Sequence, residues 1–248
     1  MATVKGEGLV RKARALEAFL GALRIHPRYG DVLRIVHHGS TLRGDAGPES
    51  DVDLLILATG NLRATQDTCS DLAFSVLLET GERIEPLVYC ADELERSNWF
   101  VSSALAAGRE VYALDPEEAR RRQALDLLGL AEEYLAMARR LPRSGNERGT
   151  IDFAYNAAAL AAKGSLVLDG EALPRTHGGI VGTFSRTWIH DRHEIPEEVG
   201  RLLNRTLDRR NRARYDPHAT LTASEAAEAV TAAERLIAAL RARVTSPA

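Results

Sequence analysis

The hydrophobic pattern of this chain changes near residue 115, and that change is the strongest constraint on its fold. Before it, apolar residues recur with both strand and helix periods; from Pro116 onward every periodic segment has helical spacing. A chain of 248 residues is long enough for two small domains. We therefore predict an α+β fold, with a small mixed-sheet domain at residues 1–115 and an all-α five-helix bundle at residues 116–248.

The first part alternates helix and strand signals, and its third strand contains a proline. Because Pro86 cannot donate a hydrogen bond to a neighbouring strand, it indicates an edge strand or a bulge. The predicted elements are a helix at Leu9–Leu23, a strand at Asp31–His37, a polar loop at 39–50, a strand at Asp51–Leu57, a helix at Leu62–Leu78, a strand at Arg83–Cys90, a helix at Asp92–Ala107 and a strand at Glu110–Leu114.

The second part contains five helical segments. Thr222 followed by Glu225 is typical of a capping box at the start of the last one, and Tyr155 and Trp188 are predicted to lie in the core. The other predicted helices are Glu117–Arg140, Ile151–Leu168, Gly178–Ile189 and Pro196–Arg214.

Bulk properties exclude several classes of protein. No apolar run approaches the roughly 20 residues that a membrane span needs, and the first residues lack a signal-peptide core, so we expect a cytoplasmic protein without a membrane partner. The net charge of −3 gives the whole molecule no attraction to nucleic acid. Two cysteines indicate neither a disulfide framework nor a zinc site.

The most informative chemistry is a pair of aspartates on one predicted strand. Asp51 and Asp53 alternate along it, so both side chains leave the same face, about 7 Å apart at the Cα atoms. Two carboxylates so placed repel each other unless a cation lies between them, and Mg²⁺ joins such carboxylates to substrate phosphates. Nucleotidyl transfer uses this arrangement, with two metal ions on the attacking and leaving oxygens. An aspartate pair alone is more often only a solvated strand end.

A Gly-Ser pair precedes the aspartates, where the first strand gives way to the loop. Free backbone N–H groups at such a point can bind phosphate oxygens, and Gly39 allows the backbone to approach closely. Ser40 follows it, and the guanidinium of Arg43 could neutralise a triphosphate. A Gly-Ser pair after a strand is usually just a turn, but the ordered combination with two apolar strands and the aspartates favours a nucleotide site.

The stretch from Gly39 to Asp53 resembles the signature of the DNA polymerase β-like nucleotidyltransferases, above all the minimal and kanamycin types. The resemblance covers residues 10 to 115. It implies that Gly39 and Ser40 contact the nucleoside triphosphate and that Asp51 and Asp53 bind metal, with two Mg²⁺ ions expected. Arg43 and Ser50 are further candidates for contact with the nucleotide. It also implies a third carboxylate on the next strand, a metal ligand or the base for the acceptor hydroxyl. Glu85 is the candidate and Glu82 the alternative.

Three segments of the helical part, residues 151–160, residues 176–180 with Phe184 beyond them, and residues 207–215, are similar to HEPN domains, which often accompany minimal nucleotidyltransferases. Many are ribonucleases with an Arg-x4-His motif. Here Arg210 and Asn211 are in place, but Tyr215 occupies the histidine position, and a phenol cannot shuttle protons at neutral pH as imidazole does. We expect Arg210 to pair with a buried carboxylate or to form a contact between two copies of the chain, which would make the protein a homodimer. His177 is expected to be a packing residue.

Three functions follow as hypotheses. The first is Mg²⁺-dependent transfer of a nucleoside monophosphate, AMP from ATP being favoured, to an acceptor hydroxyl of a small molecule or a protein, with pyrophosphate released. The second is an antitoxin-like or regulatory binding protein, against which the repulsive pair Asp51 and Asp53 argues. The third and weakest is RNA cleavage at Arg210 and Tyr215.

Overall fold

The structure is a computed structural model that describes residues 2–43, 47, 49–91, 98–141 and 145–245. It divides into two compact units, residues 1–119 and 120–248, and the division falls within a helix. The elements are α1 (Ala2–Ile25), β1 (Val32–His38), α2 (Gly39–Arg43), β2 (Val52–Ala58), α3 (Leu62–Thr80), β3 (Ile84–Cys90), α4 (Trp99–Ala107), β4 (Arg109–Ala113), α5 (Pro116–Arg140), α6 (Glu147–Leu168), α7 (His177–Phe184), α8 (Glu197–Tyr215) and α9 (Ala223–Thr245).

The four strands of the first unit form one mixed sheet in the order β3-β2-β1-β4. β1 pairs antiparallel with β2 and β4, whereas β3 pairs parallel with β2. The prediction of an edge strand at Pro86 agrees with this order, because β3 has a neighbour on one side only.

The sheet separates two apolar clusters. On one face, α1 and α3 cover it through buried residues such as Phe19, Leu23 and Cys69. On the other face, Leu55 and Leu57 pack with Val101 and Ala104 of α4. β2 is buried on both faces along most of its length, which explains its continuous apolar run. Asp53 is therefore an exception within an apolar strand, and Asp51, predicted as the first residue of this strand, lies immediately before it.

The second unit is helical, as predicted. The Ala-rich helix α6 packs against α8 and α9, and Tyr155 and Trp188 lie fully within the core, as expected. Thr222 and Glu225 form the capping box at the start of α9, since each backbone N–H donates to the other side chain at 3.2 Å or less. The predicted α+β class, with a mixed sheet and five C-terminal helices among the described residues, is confirmed.

Several element boundaries differ from the prediction. Gly39–Arg43, predicted as loop, forms the short helix α2. The first helix is longer than Leu9–Leu23, and α4 begins at Trp99, while the predicted start at Asp92 lies outside the described residues. After α7 the chain continues as a wide π-type turn, Ser185–Asp191. Within the described residues, no helix is both long and apolar enough to cross a membrane.

Candidate active site at the β1–α2 corner

The corner between β1 and α2 brings the Gly-Ser pair to one end of the sheet. His37 ends the buried part of β1, and its Nε2 lies 2.7 Å from Thr41 Oγ1, which ties α2 back to the strand. Gly39 has a φ of +81°, a left-handed conformation that residues with a Cβ rarely adopt. The sharp corner therefore depends on glycine at position 39 and leaves Ser40 half-exposed beside it.

Asp53 lies directly against Gly39. A Cβ at position 39 would overlap Asp53 Oδ2 and come within 2.8 Å of Asp53 Cγ. Gly39 and Asp53, which have thirteen residues between them in the sequence, are thus in contact. Glycine is required here both for the backbone conformation and for the room it leaves to the carboxylate.

Strand register sets the neighbours of Asp53. Asp53 pairs with His38 on β1 and with Glu85 on β3. Since directly paired residues project from the same face of a sheet, His38, Asp53 and Glu85 share one face. Glu85 thus lies beside Asp53 on the sheet with its side chain exposed, and its role as a third carboxylate stays a prediction.

Electrostatics show that Asp51 and Asp53 interact. Burial and the negative charge of Asp51 raise the pKa of Asp53, while His38 and Arg43 act in the opposite direction. Asp51 is half-buried, and its Oδ1 lies 3.6 Å from Nε of Arg83, an exposed side chain. No hydrogen-bond donor to the Asp53 carboxylate is found within the described part of the chain. The two carboxylates therefore interact unfavourably, and His38, Arg43 and Arg83 offset part of their charge.

Glu82, the alternative third carboxylate, lies elsewhere. Its side chain is buried, and its Oε2 accepts a hydrogen bond from Lys12 Nζ at 2.7 Å, while Oε1 accepts one from Arg11 at 3.1 Å. Glu82 is thus already neutralised by two cations of α1, unlike Glu85. The geometry favours Glu85 as the member of the candidate site.

Ser50 and Arg43 flank the aspartates. Ser50 Oγ accepts a hydrogen bond from the backbone N–H of Gly47 at 2.9 Å, so its hydroxyl stabilises the turn before β2. Arg43 is exposed at the end of α2 and close enough to Asp53 to lower its pKa. Contact of either residue with a nucleotide stays a prediction.

His38 is a site residue that sequence reasoning missed. Its ring lies edge-on to Phe100, with 5.5 Å between ring centroids. Its Nε2 is buried and has no hydrogen-bond partner among the described residues. Burial lowers the pKa of His38 despite the opposing charges of Asp53 and Glu85. Its position directly before Gly39 was the available signal, but only the strand register places it next to Asp53.

The donors of this corner fit a hard cation. Among the described residues, no three carboxylate, imidazole or thiol side chains converge as a complete ligand set. Mg²⁺ does not require one, because it is usually held by one or two carboxylates together with waters and substrate phosphates. Asp51 and Asp53 provide two carboxylates whose mutual repulsion a cation would relieve.

A second polar cluster lies in the helical unit. The nearly buried Arg210 has its Nε 3.5 Å from Asp152 Oδ1, and Arg214 lies 3.6 Å from the same oxygen. The expected carboxylate partner of Arg210 is therefore Asp152. The Tyr155 hydroxyl lies 3.1 Å from His177 Nδ1, so His177 contacts the helix core at one edge of its exposed ring.

Comparison with known protein families agrees with this geometry. The model described as "Nucleotidyltransferase domain" matches residues 20–100, which include the β1–α2 corner and both aspartates. A protein of Methanocaldococcus jannaschii described as "Putative protein adenylyltransferase MJ0604" is 33% identical over 106 residues, which are 42% of this chain and 100% of that protein. The chain belongs to the nucleotidyltransferase family. The predicted class of enzyme is confirmed.

This nucleotidyltransferase also contains a second family domain. The model described as "HEPN domain" matches residues 124–243, which confirms the resemblance of the helical part. Among solved structures, spectinomycin adenyltransferase AAD(9) from Enterococcus faecialis, determined with ATP and spectinomycin, is 12% identical. The match covers 94% of this chain and 99% of that one, with a TM-score of 0.31.

Proposed function

We propose that this nucleotidyltransferase moves AMP from ATP to a hydroxyl group of a protein, with Mg²⁺ bound and pyrophosphate released. The observation that carries the proposal is the contact of Asp53 with Gly39, beside Asp51. This corner combines a negative pair suited to a cation with a glycine that leaves room for the Asp53 carboxylate against the backbone. The name of the archaeal relative, a protein adenylyltransferase, supports AMP as the group and protein as the acceptor.

In the proposed reaction, the acceptor oxygen attacks the α-phosphorus of ATP. A bond forms between that oxygen and phosphorus, the bond from the α-phosphorus to the bridging oxygen breaks, and pyrophosphate leaves. The acceptor proton passes to Glu85, which is exposed beside Asp53 and able to reach a bound hydroxyl. Bound Mg²⁺ would neutralise the charge that develops on the phosphate oxygens.

The other residues of the corner bind and orient the nucleotide in this proposal. Asp51 and Asp53 hold the metal, and Glu85 receives the acceptor proton. Gly39, Ser40 and Ser50 contact phosphate oxygens, and Arg43 contributes positive charge next to them. The half-exposed Ser40 and the exposed Arg43 support this assignment, since both remain accessible. Possible homodimerisation and a cytoplasmic location stay predictions.

The test follows the label from ATP into protein. The enzyme is incubated with Mg²⁺, a cell extract and ATP labelled at the α-phosphate, and in parallel with ATP labelled at the γ-phosphate. We expect α-label in protein bands and γ-label in pyrophosphate. Asp51→Ala and Asp53→Asn should each reduce labelling at least about 100-fold, because each removes a charge that binds the metal.

The matched control is Asp71→Asn, which neutralises an exposed acid on α3. It should label protein like the wild type. Incorporation of γ-label would mean phosphate transfer instead, and undiminished labelling by Asp53→Asn would refute the proposed site.

A further inference from the structure

A buried lysine lies behind the candidate site. Lys12 of α1 is only 5% exposed. Its Nζ donates hydrogen bonds to Glu82 Oε2 at 2.7 Å and to the backbone oxygen of Ser50 at 2.6 Å. A buried ammonium group is stable only when a carboxylate and further acceptors surround it. Glu82, with a side chain 9% exposed, supplies that carboxylate.

The second hydrogen-bond acceptor of Lys12, the backbone oxygen of Ser50, is significant because of its position in the chain. Ser50 directly precedes Asp51. On the far side of Asp51, the backbone N–H of Val52 donates to the oxygen of Arg83 at 2.9 Å. The backbone is thus hydrogen-bonded immediately before and immediately after Asp51. Both contacts lead to one segment, since Arg83 follows Glu82.

We infer that Lys12 and Glu82 form a positioning pair that fixes Asp51 for metal binding. The inference rests on the proposed function, in which Asp51 binds the metal. Lys12 holds the backbone oxygen of Ser50, and Glu82 holds Lys12 in place by compensating its charge. Neither residue touches the nucleotide or the metal. Partners that orient a metal ligand typically change metal affinity or activity about 10- to 100-fold when removed.

Arg11 offers a matched control. It bonds the same carboxylate, at 3.1 Å, but its side chain is 66% exposed and makes no described contact with Ser50. Arg11→Met therefore removes a positive charge next to Glu82 without touching the backbone beside Asp51. Lys12→Met removes the ammonium and keeps the apolar stem that packs in the interior.

The experiment measures binding of Mn²⁺, a spectroscopic substitute for Mg²⁺, from the loss of the free-ion EPR signal. No turnover is required. We expect Lys12→Met to weaken Mn²⁺ binding about tenfold or more, while Arg11→Met stays within about twofold of the wild type. In an Asp51→Asn background, Lys12→Met should have no further effect, because it acts through Asp51.

The same factor of loss in both backgrounds, or wild-type binding by Lys12→Met, would overturn the inference. A general loss of folded protein would lower the number of sites without changing affinity. If Lys12→Met does not fold, Glu82→Gln provides the second variant, which keeps an oxygen acceptor for Lys12. It should weaken binding in the same Asp51-dependent way, and an unchanged affinity would refute the pair.

Failure of the positioning role can be distinguished from failure of the proposed function. If the wild-type chain binds no Mn²⁺, or if Asp51→Asn binds it equally well, the metal site itself is wrong. If Asp51→Asn binds Mn²⁺ more weakly than the wild type, but Lys12→Met binds it normally, only the positioning role is wrong.

Discussion

The chain contains two polar clusters, one in each unit, and they differ in which charges surround their carboxylates. At the β1–α2 corner, Asp51 and Asp53 repel each other, and Glu85 adds a third acid on the same face. In the helical unit, Asp152 faces two guanidinium groups, those of Arg210 and Arg214. In the first arrangement the carboxylates repel each other, and a bound cation would relieve that repulsion. In the second, two positively charged groups of the same unit compensate the carboxylate.

Arg210 has aromatic as well as ionic neighbours. Its guanidinium lies 5.6 Å from the ring centroid of Tyr155 and 5.8 Å from that of Tyr215. Its Nη1 donates to Asn211 Oδ1 at 3.2 Å. Tyr215, in the position of the ribonuclease histidine, is itself exposed and lies beside the guanidinium of Arg210.

The largest effect should come from Asp152→Ala. Because it leaves the buried Arg210 without its carboxylate, we expect the free energy of unfolding to fall by about 3 kcal/mol. Urea denaturation would measure it. Asp208→Ala, which removes an exposed acid from α8, should change the unfolding free energy by less than about 0.5 kcal/mol.

A second substitution tests whether Asp152 and Arg210 stabilise the fold by compensating each other's charge or only by packing. If Arg210→Met is added to Asp152→Ala, the double variant should be less destabilised than the sum of the two single variants. Additive losses would mean that the helical cluster is not an ion-pair arrangement, and the contrast between the two clusters would disappear.

The next effect concerns Gly39→Ala. Its Cβ would overlap Asp53 Oδ2, so the carboxylate must move, and displacement of a reacting group by about 1 Å can cost about 100-fold in rate. We expect a loss of this size in AMP transfer, measured by α-label incorporation. The left-handed backbone adds roughly 1–2 kcal/mol of destabilisation.

Gly60→Ala is the matched control for this change. Gly60 has a φ of +71°, and the nearest atom to its Cβ would be an Asp31 oxygen at 3.5 Å, an ordinary contact distance. Gly60→Ala should lose the same free energy of unfolding through its left-handed backbone, but it should transfer AMP as the wild type does. Equal losses of activity in both variants would show that the contact between residues 39 and 53 has no special role.

The sequence predicts the parts of this site better than their assembly. The strands beside Gly39 and Asp53 are visible because most of their residues are apolar, and Pro86 marks β3 as an edge. The helix at Gly39–Arg43 is not visible, since it depends on a contact from Thr41 to His37. Local propensity carries no information about such a contact.

Strand register explains the other gaps. His38 becomes a neighbour of Asp53 only because β1 pairs antiparallel with β2 in this alignment. The choice between Glu82 and Glu85 likewise depends on register, because a shift by one residue would reverse which side chains face the site. Pairing between distant segments is a tertiary property, so the sequence pattern leaves both assignments open.

The smallest expected effect is the change in the free energy of unfolding caused by Asp53→Asn. Its sign is opposite to that expected for Asp152→Ala in the helical cluster. Because the folded chain raises the pKa of Asp53, its ionised form opposes folding at neutral pH. In EDTA at pH 7, Asp53→Asn should therefore be slightly more stable than the wild type, by less than about 1 kcal/mol for this half-exposed group.

The pH dependence follows from the direction of that shift. The penalty is complete when Asp53 is ionised in both states, decreases as the pH falls through the raised pKa, and vanishes below the ordinary value of 3.8. The difference between the variant and the wild type, measured by urea denaturation, should thus shrink from pH 7 to pH 4. Addition of Mg²⁺ and ATP should stabilise only the wild type, since a ligand that binds the folded state shifts the equilibrium towards it. A wild type more stable than Asp53→Asn in EDTA would mean that this carboxylate is compensated within the protein, as Asp152 is, and that the corner has no charge left for a cation to relieve.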